Sequence, residues 1–232
     1  MARTNPAASR RHRPYHHGNL RRALLDEALA TIRSEGVEGL TLREIGGRVG
    51  VSRTALYRHF ADKRALLAAV ATEGFRTLRQ QLVAAWEEGG RGRPALDSMG
   101  EAYIRFAVAN PSHYRVMFGG FLEPNEHETD LAAEAAGAFQ ALVDALVTLQ
   151  RDTLVRGDDT LTMARFIWAL VHGVAMLGID AQLPEPGGVD ELTRYALERL
   201  ETGIAADASH RRAPARDRRP TRGRVRRSAN RP

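Results

Sequence analysis

Apolar residues recur at every third or fourth position along most of this chain, which is the spacing of one face of an α-helix. In the first such stretch, Leu20, Leu24 and Ala28 lie four residues apart. No segment alternates between apolar and polar residues strongly enough to indicate a strand. The sequence therefore predicts an all-α fold.

Breaks rich in glycine and proline divide this helical pattern. One break at 89–94 ends a long fourth helix, which Asp62 can cap at its start, and another break lies at 183–188. No stretch approaches eighteen consecutive apolar residues, so we expect no membrane-spanning helix. The helices predicted beyond the first break cover residues 95–110, a short segment that Pro111 starts and that runs to Phe118, and about 127–156, 159–179 and 189–204.

The net charge of +6 is unevenly distributed along the 232 residues. Residues 1–17 hold four arginines and no acid, and residues 207–232 hold ten arginines against two aspartates. Segment 18–64 has nine basic and six acidic residues, whereas segment 65–206 has eleven basic and twenty acidic ones. This distribution favours a protein that meets nucleic acid through one small module rather than through its whole surface.

The module lies in the basic segment and consists of two short helices joined by a glycine turn. Thr41 and Glu44 form a capping box at the start of the first helix, in which each side chain satisfies a backbone N–H. Gly50 interrupts that helix, and Ser52 caps the next one. This is the arrangement that places a second helix in the major groove of DNA.

Several side chains of the module suit DNA contact. Arg43, Arg53 and Thr54 lie where base edges could be reached, and arginine matches the O6 and N7 acceptors of guanine. Thr41, at a helix start, offers a hydroxyl and backbone N–H groups to a phosphate. The predicted DNA-contacting residues are Thr41, Arg43, Ser52, Arg53, Thr54, Tyr57, His59 and Lys63.

Residues 40–67 read LTLREIGGRVGVSRTALYRHFADKRALL, and this pattern resembles the DNA-binding domain of the TetR family of bacterial transcriptional regulators. One departure is Gly46, where the family usually has alanine. The resemblance implies an all-α dimer with an amino-terminal three-helix reader and a larger helical domain that binds a small ligand and dimerises. It further implies that Arg43, Arg53, Thr54 and Tyr57 face the groove, and that Thr41, Tyr57, His59 and Lys63 contact phosphates.

The resemblance and the charge pattern together predict four parts. Residues 1–17 form a flexible basic arm, 18–64 the helix-turn-helix DNA-binding domain, 65–206 the ligand-binding and dimerisation domain, and 207–232 a disordered arginine-rich tail. The expected partners are double-stranded operator DNA, a second copy of the chain and a small apolar effector, with no membrane. We expect a cytoplasmic, nucleoid-associated repressor.

The larger domain carries a second, weaker resemblance to a subgroup of TetR-like regulators in Trp168, His172-Gly173 and the segment 110–118. Trp168, His172 and Met176 share one helix face, which is either a pocket wall or dimer seam, or plain core in which His172 is hydrogen-bonded and inert. Ligand cavities are mostly apolar. The predicted pocket residues are Tyr103, Phe106, Tyr114, Met117, Phe118, Phe121, Phe139, Trp168 and His172.

Two other functions compete with this interpretation. An enzyme needs a catalytic constellation, but the chain has no cysteine and no glycine-rich phosphate loop, and His127 between Glu126 and Glu128 is its only hint of a metal site. We therefore expect no catalytic residue, no metal and no cofactor. The alternative is a nonspecific architectural DNA-binding protein that contacts DNA mainly through its arginine-rich tail.

Overall fold

The computed structural model describes residues 20–122 and 129–206, and within these two ranges it contains nine α-helices and no strand beyond one isolated bridge. The predicted all-α fold is confirmed. The predicted arm and tail and the hinted metal site at His127 lie outside the described residues. The helices are α1 (Leu20–Glu35), α2 (Leu42–Val49), α3 (Arg53–His59), α4 (Lys63–Glu88), α5 (Arg93–Ala109), α6 (Pro111–Phe118), α7 (Thr129–Arg151), α8 (Thr160–Ile179) and α9 (Gly188–Ile204).

Helices α1, α2 and α3 pack into a small unit around a buried apolar core. Ile45 of α2 and Leu56 of α3 are almost completely buried between them. The turn between α2 and α3 is short because Gly50 adopts the left-handed conformation, with φ of 79°, and its N–H donates to the carbonyl of Gly46 at 3.0 Å. Ser52 then caps α3 through its hydroxyl, which accepts from the Ala55 N–H at 3.2 Å. This geometry holds α3 at a fixed angle to α2.

The capping box at the start of α2 differs in one contact from the sequence prediction. The Thr41 hydroxyl accepts from the Glu44 N–H at 3.3 Å, as predicted. The Glu44 carboxylate, however, accepts from the Thr41 hydroxyl at 2.7 Å rather than from a backbone N–H. The Thr41 and Glu44 side chains are therefore hydrogen-bonded to each other at the start of α2.

The two glycines within α2 have different surroundings. A Cβ on Gly46 would lie 3.0 Å from Leu56 Cδ2, whereas a Cβ on Gly47 would meet nothing within 4 Å. The α2–α3 contact is therefore close at Gly46 and open at Gly47.

We expect Gly47→Ala to stabilise the chain by about 0.5–1 kcal/mol, since alanine loses less backbone entropy in a helix and finds open space here. Gly50→Ala is the matched control and should destabilise by about 1–2 kcal/mol, because φ of 79° is strained for any residue with a Cβ. Urea denaturation of the full chain measures both changes. A loss of stability in Gly47→Ala would contradict the open geometry.

Helix α4 links the small unit to the rest of the fold. Asp62 caps its start as predicted, because its Oδ1 accepts from the Ala65 N–H at 2.7 Å. At 26 residues the helix spans about 39 Å. It packs against α1 and against α5, α6 and α7, and Glu134 of α7 accepts hydrogen bonds from Arg76 at 2.8 Å and Arg79 at 3.1 Å. Helix α8 completes the larger domain by packing against α5, α7 and α9.

Helix α7 ends five residues before the end that the apolar pattern predicts. Thr153 adopts a positive φ of 56°, which turns the chain out of the helix. Val155 then forms an antiparallel bridge with Ala205, and the Arg156 N–H donates to the carbonyl of Ile204 at 2.8 Å. This contact joins segments fifty residues apart, so a local pattern does not reveal it.

Two helices of the larger domain, α7 and α8, are long and apolar enough to cross a membrane by length and composition alone. The expectation that no helix spans a membrane stays a prediction. The criteria are weak evidence for a span, because apolar core helices of helical domains also meet them. In this fold α7 packs against α4, and α8 packs against α5 and α9.

Candidate functional site

The outward surface of α2 and α3 carries most of the predicted DNA-contacting side chains. Arg43 lies on α2, and Arg53, Thr54, Tyr57 and His59 lie on α3 or at its end. All five are exposed, and within the described residues none of their side chains makes a hydrogen bond or ion pair. Their polar groups are therefore available to an external partner.

Three other predicted contacts are partly engaged within the protein. The Thr41 hydroxyl is bound to Glu44, and the Ser52 hydroxyl caps α3. Lys63 is half-buried, and its Nζ donates to the carbonyl of Glu38 at 3.2 Å. The assignment of these three residues to DNA contact stays a prediction, as does that of the exposed five.

The larger domain contains a cavity of about 340 Å³ whose walls come from α4, α5, α6, α7 and α8. Of the nine predicted pocket residues, Tyr103, Phe118, Phe139 and Trp168 line it. Arg165 is the only charged side chain among its lining residues. The other lining residues are Phe75, Leu78, Leu82, Leu96, Met99, Gly100, Ala135, Ala138, Leu142, Ile167 and Val171.

The other five predicted pocket residues do not line this cavity. Phe106 is buried in the core and is not among the residues that line the cavity. Tyr114 and His172 lie behind the wall, where they are hydrogen-bonded to Tyr103. An aromatic residue in a helical domain is thus as often a core residue as a cavity residue, and composition alone does not separate the two.

Met117 and Phe121 face the reader side of the fold instead. Met117 packs against Gly74 of α4 so closely that a Cβ on that glycine would clash with its sulfur. Phe121 follows α6 and lines a separate shallow groove together with Val37 and Lys63. Neither residue lines the cavity, and their assignment to the ligand pocket stays a prediction.

A hydrogen-bonded cluster of four side chains stands at one wall of the cavity. Trp168 Nε1 donates to the Tyr103 hydroxyl at 3.1 Å, and the hydroxyls of Tyr103 and Tyr114 lie 2.9 Å apart. The Tyr114 hydroxyl lies 2.6 Å from His172 Nδ1, and Tyr103 lies 3.2 Å from the same nitrogen. Burial raises the pKa of Tyr103 to about 12 and also raises the pKa of Tyr114. These hydroxyls therefore stay neutral.

Burial also lowers the pKa of His172, so this side chain is neutral at pH 7. A histidine with a lowered pKa binds fewer protons in the folded than in the unfolded state, so its contribution to stability is present at neutral pH and is lost as the pH falls below its ordinary value of about 6.5. Burial raises the pKa of Asp97 to about 6, so Asp97 binds more protons in the folded than in the unfolded state. Its contribution to stability therefore increases as the pH falls through the same range.

We expect His172→Gln to reduce the loss of stability on acidification. Because Asp97 is unchanged in the variant, its opposing effect cancels when the two proteins are compared. The measurement is the urea midpoint of each protein at pH 8.0 and pH 5.5. If both proteins lose the same stability between these values, His172 does not contribute to the pH dependence.

Half of the lining residues that the sequence analysis missed lie on α4 and α7. Leu78 and Leu82 lie on the apolar face of α4, and Phe75 continues that face at helical spacing. The pattern shows that the face is buried, but it does not show that part of it borders empty space. Nothing in the sequence indicates that Arg165 lines a cavity, because an arginine on a helix is usually solvent-exposed.

Helix α8 also carries an outward apolar face with no partner within the described chain. Phe166 is 58% exposed and Leu177 is 40% exposed, and Gly173 lies between them on the same side. Tyr195 on the neighbouring α9 is 58% exposed. Large exposed apolar side chains on two adjacent helices are typical of a protein interface.

Comparisons with protein families match the reader and the larger domain separately. A family model for bacterial regulatory proteins of the tetR family matches residues 24–70, and a model for the tetracyclin repressor-like C-terminal domain matches residues 96–200. The chain belongs to the TetR family. This confirms the resemblance that the reader sequence indicates, and it makes the protein a TetR-family transcriptional regulator that binds DNA.

Three relatives show the extent of the similarity between this TetR-family chain and known proteins. YobS of Bacillus subtilis, an uncharacterised HTH-type transcriptional regulator, is 26% identical over 192 residues, which cover 81% of this chain and 93% of that one. A solved structure of a protein of unknown function from Rhodococcus sp. RHA1 is 32% identical with a TM-score of 0.74, over 84% of this chain and all of that chain. The class C tetracycline repressor protein of Escherichia coli is 49% identical, but only over 51 residues, 22% of this chain and 23% of that one.

Proposed function

We propose that this TetR-family regulator is a cytoplasmic, nucleoid-associated homodimeric repressor that leaves its operator when a small apolar effector enters the cavity. The observation that carries the proposal is the position of α4. This helix packs against α1 of the reader and also lines the cavity with Phe75, Leu78 and Leu82. A molecule that fills the cavity therefore contacts the element that supports the reader.

A second connection runs through α6. Phe118 of α6 lines the cavity, and His113 on the same helix lies 3.7 Å from Glu73 of α4. Glu73 accepts a hydrogen bond from Arg22 of α1 at 2.8 Å. These side chains link the cavity wall to the reader across three helices. The effector acts by favouring the conformer whose two readers fit the operator poorly.

The reader requires a dimer for specificity, because one short recognition helix contacts too few base pairs. Two copies related by a two-fold axis would read two half-sites of an inverted repeat. The exposed apolar face formed by Phe166, Gly173 and Leu177 of α8 with Tyr195 of α9 is the surface we assign to dimerisation. Two such faces would form a helical interface with an apolar centre.

Selection of bound fragments from random DNA by the full-length protein tests this function. We expect an inverted repeat, since a two-fold dimer presents two identical readers. A single unpaired half-site would contradict the dimer. Fragments without any consensus would favour the alternative, a nonspecific architectural protein that binds through its arginine-rich tail.

We expect Arg53→Ala to weaken binding to the selected operator by about 1–3 kcal/mol and to relax one or two base positions, because a bidentate arginine–guanine contact is lost. Arg105→Ala is the matched control, since Arg105 is an exposed arginine on α5 far from the reader. Fluorescence anisotropy with operator and single-base variants measures both effects. Unchanged discrimination in Arg53→Ala would remove Arg53 from the base-reading residues.

A further inference from the structure

The cavity walls present few polar groups that a ligand could use. Apart from Arg165, the only polar side chains among its lining residues are Tyr103 and Trp168. Both belong to the hydrogen-bonded cluster that continues behind the wall to Tyr114 and His172. Whether this wall can bind a polar ligand group depends on which donor hydrogens the cluster leaves unused.

One arrangement satisfies every donor in the line from Trp168 to the histidine ring. The Trp168 indole N–H donates to Tyr103, Tyr103 donates to Tyr114, and Tyr114 donates to His172 Nδ1 at 2.6 Å. Because His172 is neutral, Nδ1 can accept this last hydrogen bond. The donors of Trp168 and Tyr103 are thus used within the cluster, and the body of a ligand contacts an apolar surface.

Arg165 is the one charged residue among those that line the same cavity. It lies on α8 one turn before Trp168, so both side chains occupy one side of the helix. Arg165 is exposed, and within residues 20–122 and 129–206 its guanidinium forms no ion pair or hydrogen bond. The nearby Asp159 uses one carboxylate oxygen to cap α8, where it accepts from the Thr162 N–H at 2.8 Å and hydroxyl at 2.6 Å. Hydrogen bonds from Thr162 lower the pKa of Asp159, and the charge of Arg165 adds to this effect, so the guanidinium has an acidic neighbour. Because it forms no ion pair with that carboxylate within the described residues, its donors at the edge of an apolar cavity can bind an anionic group.

We propose that the effector is an apolar monocarboxylate whose body fills the cavity and whose carboxylate pairs with Arg165 at the edge. The proposal rests on the proposed function, because it assigns a ligand class to the effector site. An acid with a free carboxylate gains a charge-assisted contact that its ester lacks. An amine of the same length would place a positive charge beside the guanidinium and is disfavoured.

The cavity volume sets the size of the apolar body. A volume of about 340 Å³ holds about eleven groups of water size, at roughly 30 Å³ for each. A methylene group is close to a water molecule in size, so a chain of about eleven carbons fills the space. Dodecanoate has eleven carbons beyond its carboxylate carbon and is the probe of choice.

Isothermal titration of the full-length protein with dodecanoate, methyl dodecanoate and 1-aminododecane, each below its micelle concentration, tests the ligand class. We expect dodecanoate to bind about ten- to a hundredfold more tightly than the ester, and the amine to bind most weakly. In Arg165→Gln the acid should lose this advantage while the ester binds as before. Arg105→Gln, which changes an exposed arginine outside the cavity, should keep the preference for the acid.

Each outcome of the titration decides the proposal. Equal binding of acid and ester, or a preference for the acid that survives in Arg165→Gln, would overturn it. Binding of none of the three probes would overturn it as well, whereas the proposed function would stand if another compound releases the operator. Conversely, dodecanoate that binds through Arg165 but leaves operator affinity unchanged would support the ligand class and contradict the proposed function.

Discussion

Replacement of Phe166 by glutamate is expected to convert the protein from a dimer into a monomer and to lower its affinity for an inverted-repeat operator. Phe166 is 58% exposed on α8 and is one of the two aromatic side chains of the apolar face formed with Leu177 and Tyr195. An unpaired carboxylate buried in an apolar interface costs at least about 2 kcal/mol. A two-fold axis places the change in both copies, so the dimer dissociation constant should rise by roughly a thousandfold.

Sedimentation velocity and operator titration on the same samples measure this effect. The matched control is Val83→Glu, because Val83 is also an exposed apolar residue, at 44%, but lies on α4, away from α8 and α9. The control should remain a dimer with unchanged operator affinity. If Phe166→Glu stays dimeric, the interface lies elsewhere on the molecule.

Filling the cavity is the second change for which we expect a large effect. Leu142 on α7 is half-buried and lines the cavity, so a tryptophan there can extend its ring into the free space. The larger side chain occupies the volume that a ligand needs, and a clash of this kind should weaken the binding of dodecanoate or 1-anilinonaphthalene-8-sulfonate by at least roughly a hundredfold. Operator binding should remain, so the variant would be a repressor that no longer responds to its effector.

Val147→Trp provides the control for this experiment, since Val147 lies on the same helix but is exposed and does not line the cavity. It should bind both probes and the operator as the native protein does. A Leu142→Trp protein that still binds the probes would show that the ligand site lies outside this cavity. Loss of operator binding without any ligand would show instead that a filled cavity already favours the released conformer.

The reader could be predicted from the sequence almost completely, because its structure is encoded locally. Asp62 and Ser52 cap the helices that follow them, and Gly50 supplies the one left-handed turn that the motif needs. Each of these features depends on neighbours within four residues. The apolar spacing likewise predicts the helices of the larger domain, with ends that differ by a few residues.

The cavity could be predicted only in part, because it depends on how distant helices meet. Phe106 and Phe139 have the same character in the sequence, yet Phe106 is packed in the core and Phe139 borders free space. Arg165 lines the cavity only because residues of α4, α5, α6 and α7 form the other walls, and no pattern within α8 shows this. Local patterns identify apolar faces, but they do not identify where two faces fail to close on each other.

The bridge between Val155 and Ala205 holds the end of the described chain against the segment that follows α7. Just before this point, the Glu201 carbonyl accepts from Arg93, which follows the end of α4. The reader adjoins the other end of α4, about 39 Å away along the helix. The twenty-six residues of the arginine-rich segment 207–232 reach at most about 90 Å when fully extended, so the segment is long enough to return to the same DNA but starts from the opposite pole. The described part of the chain thus ends about one length of α4 from the reader, and the contour length of residues 207–232 exceeds that distance.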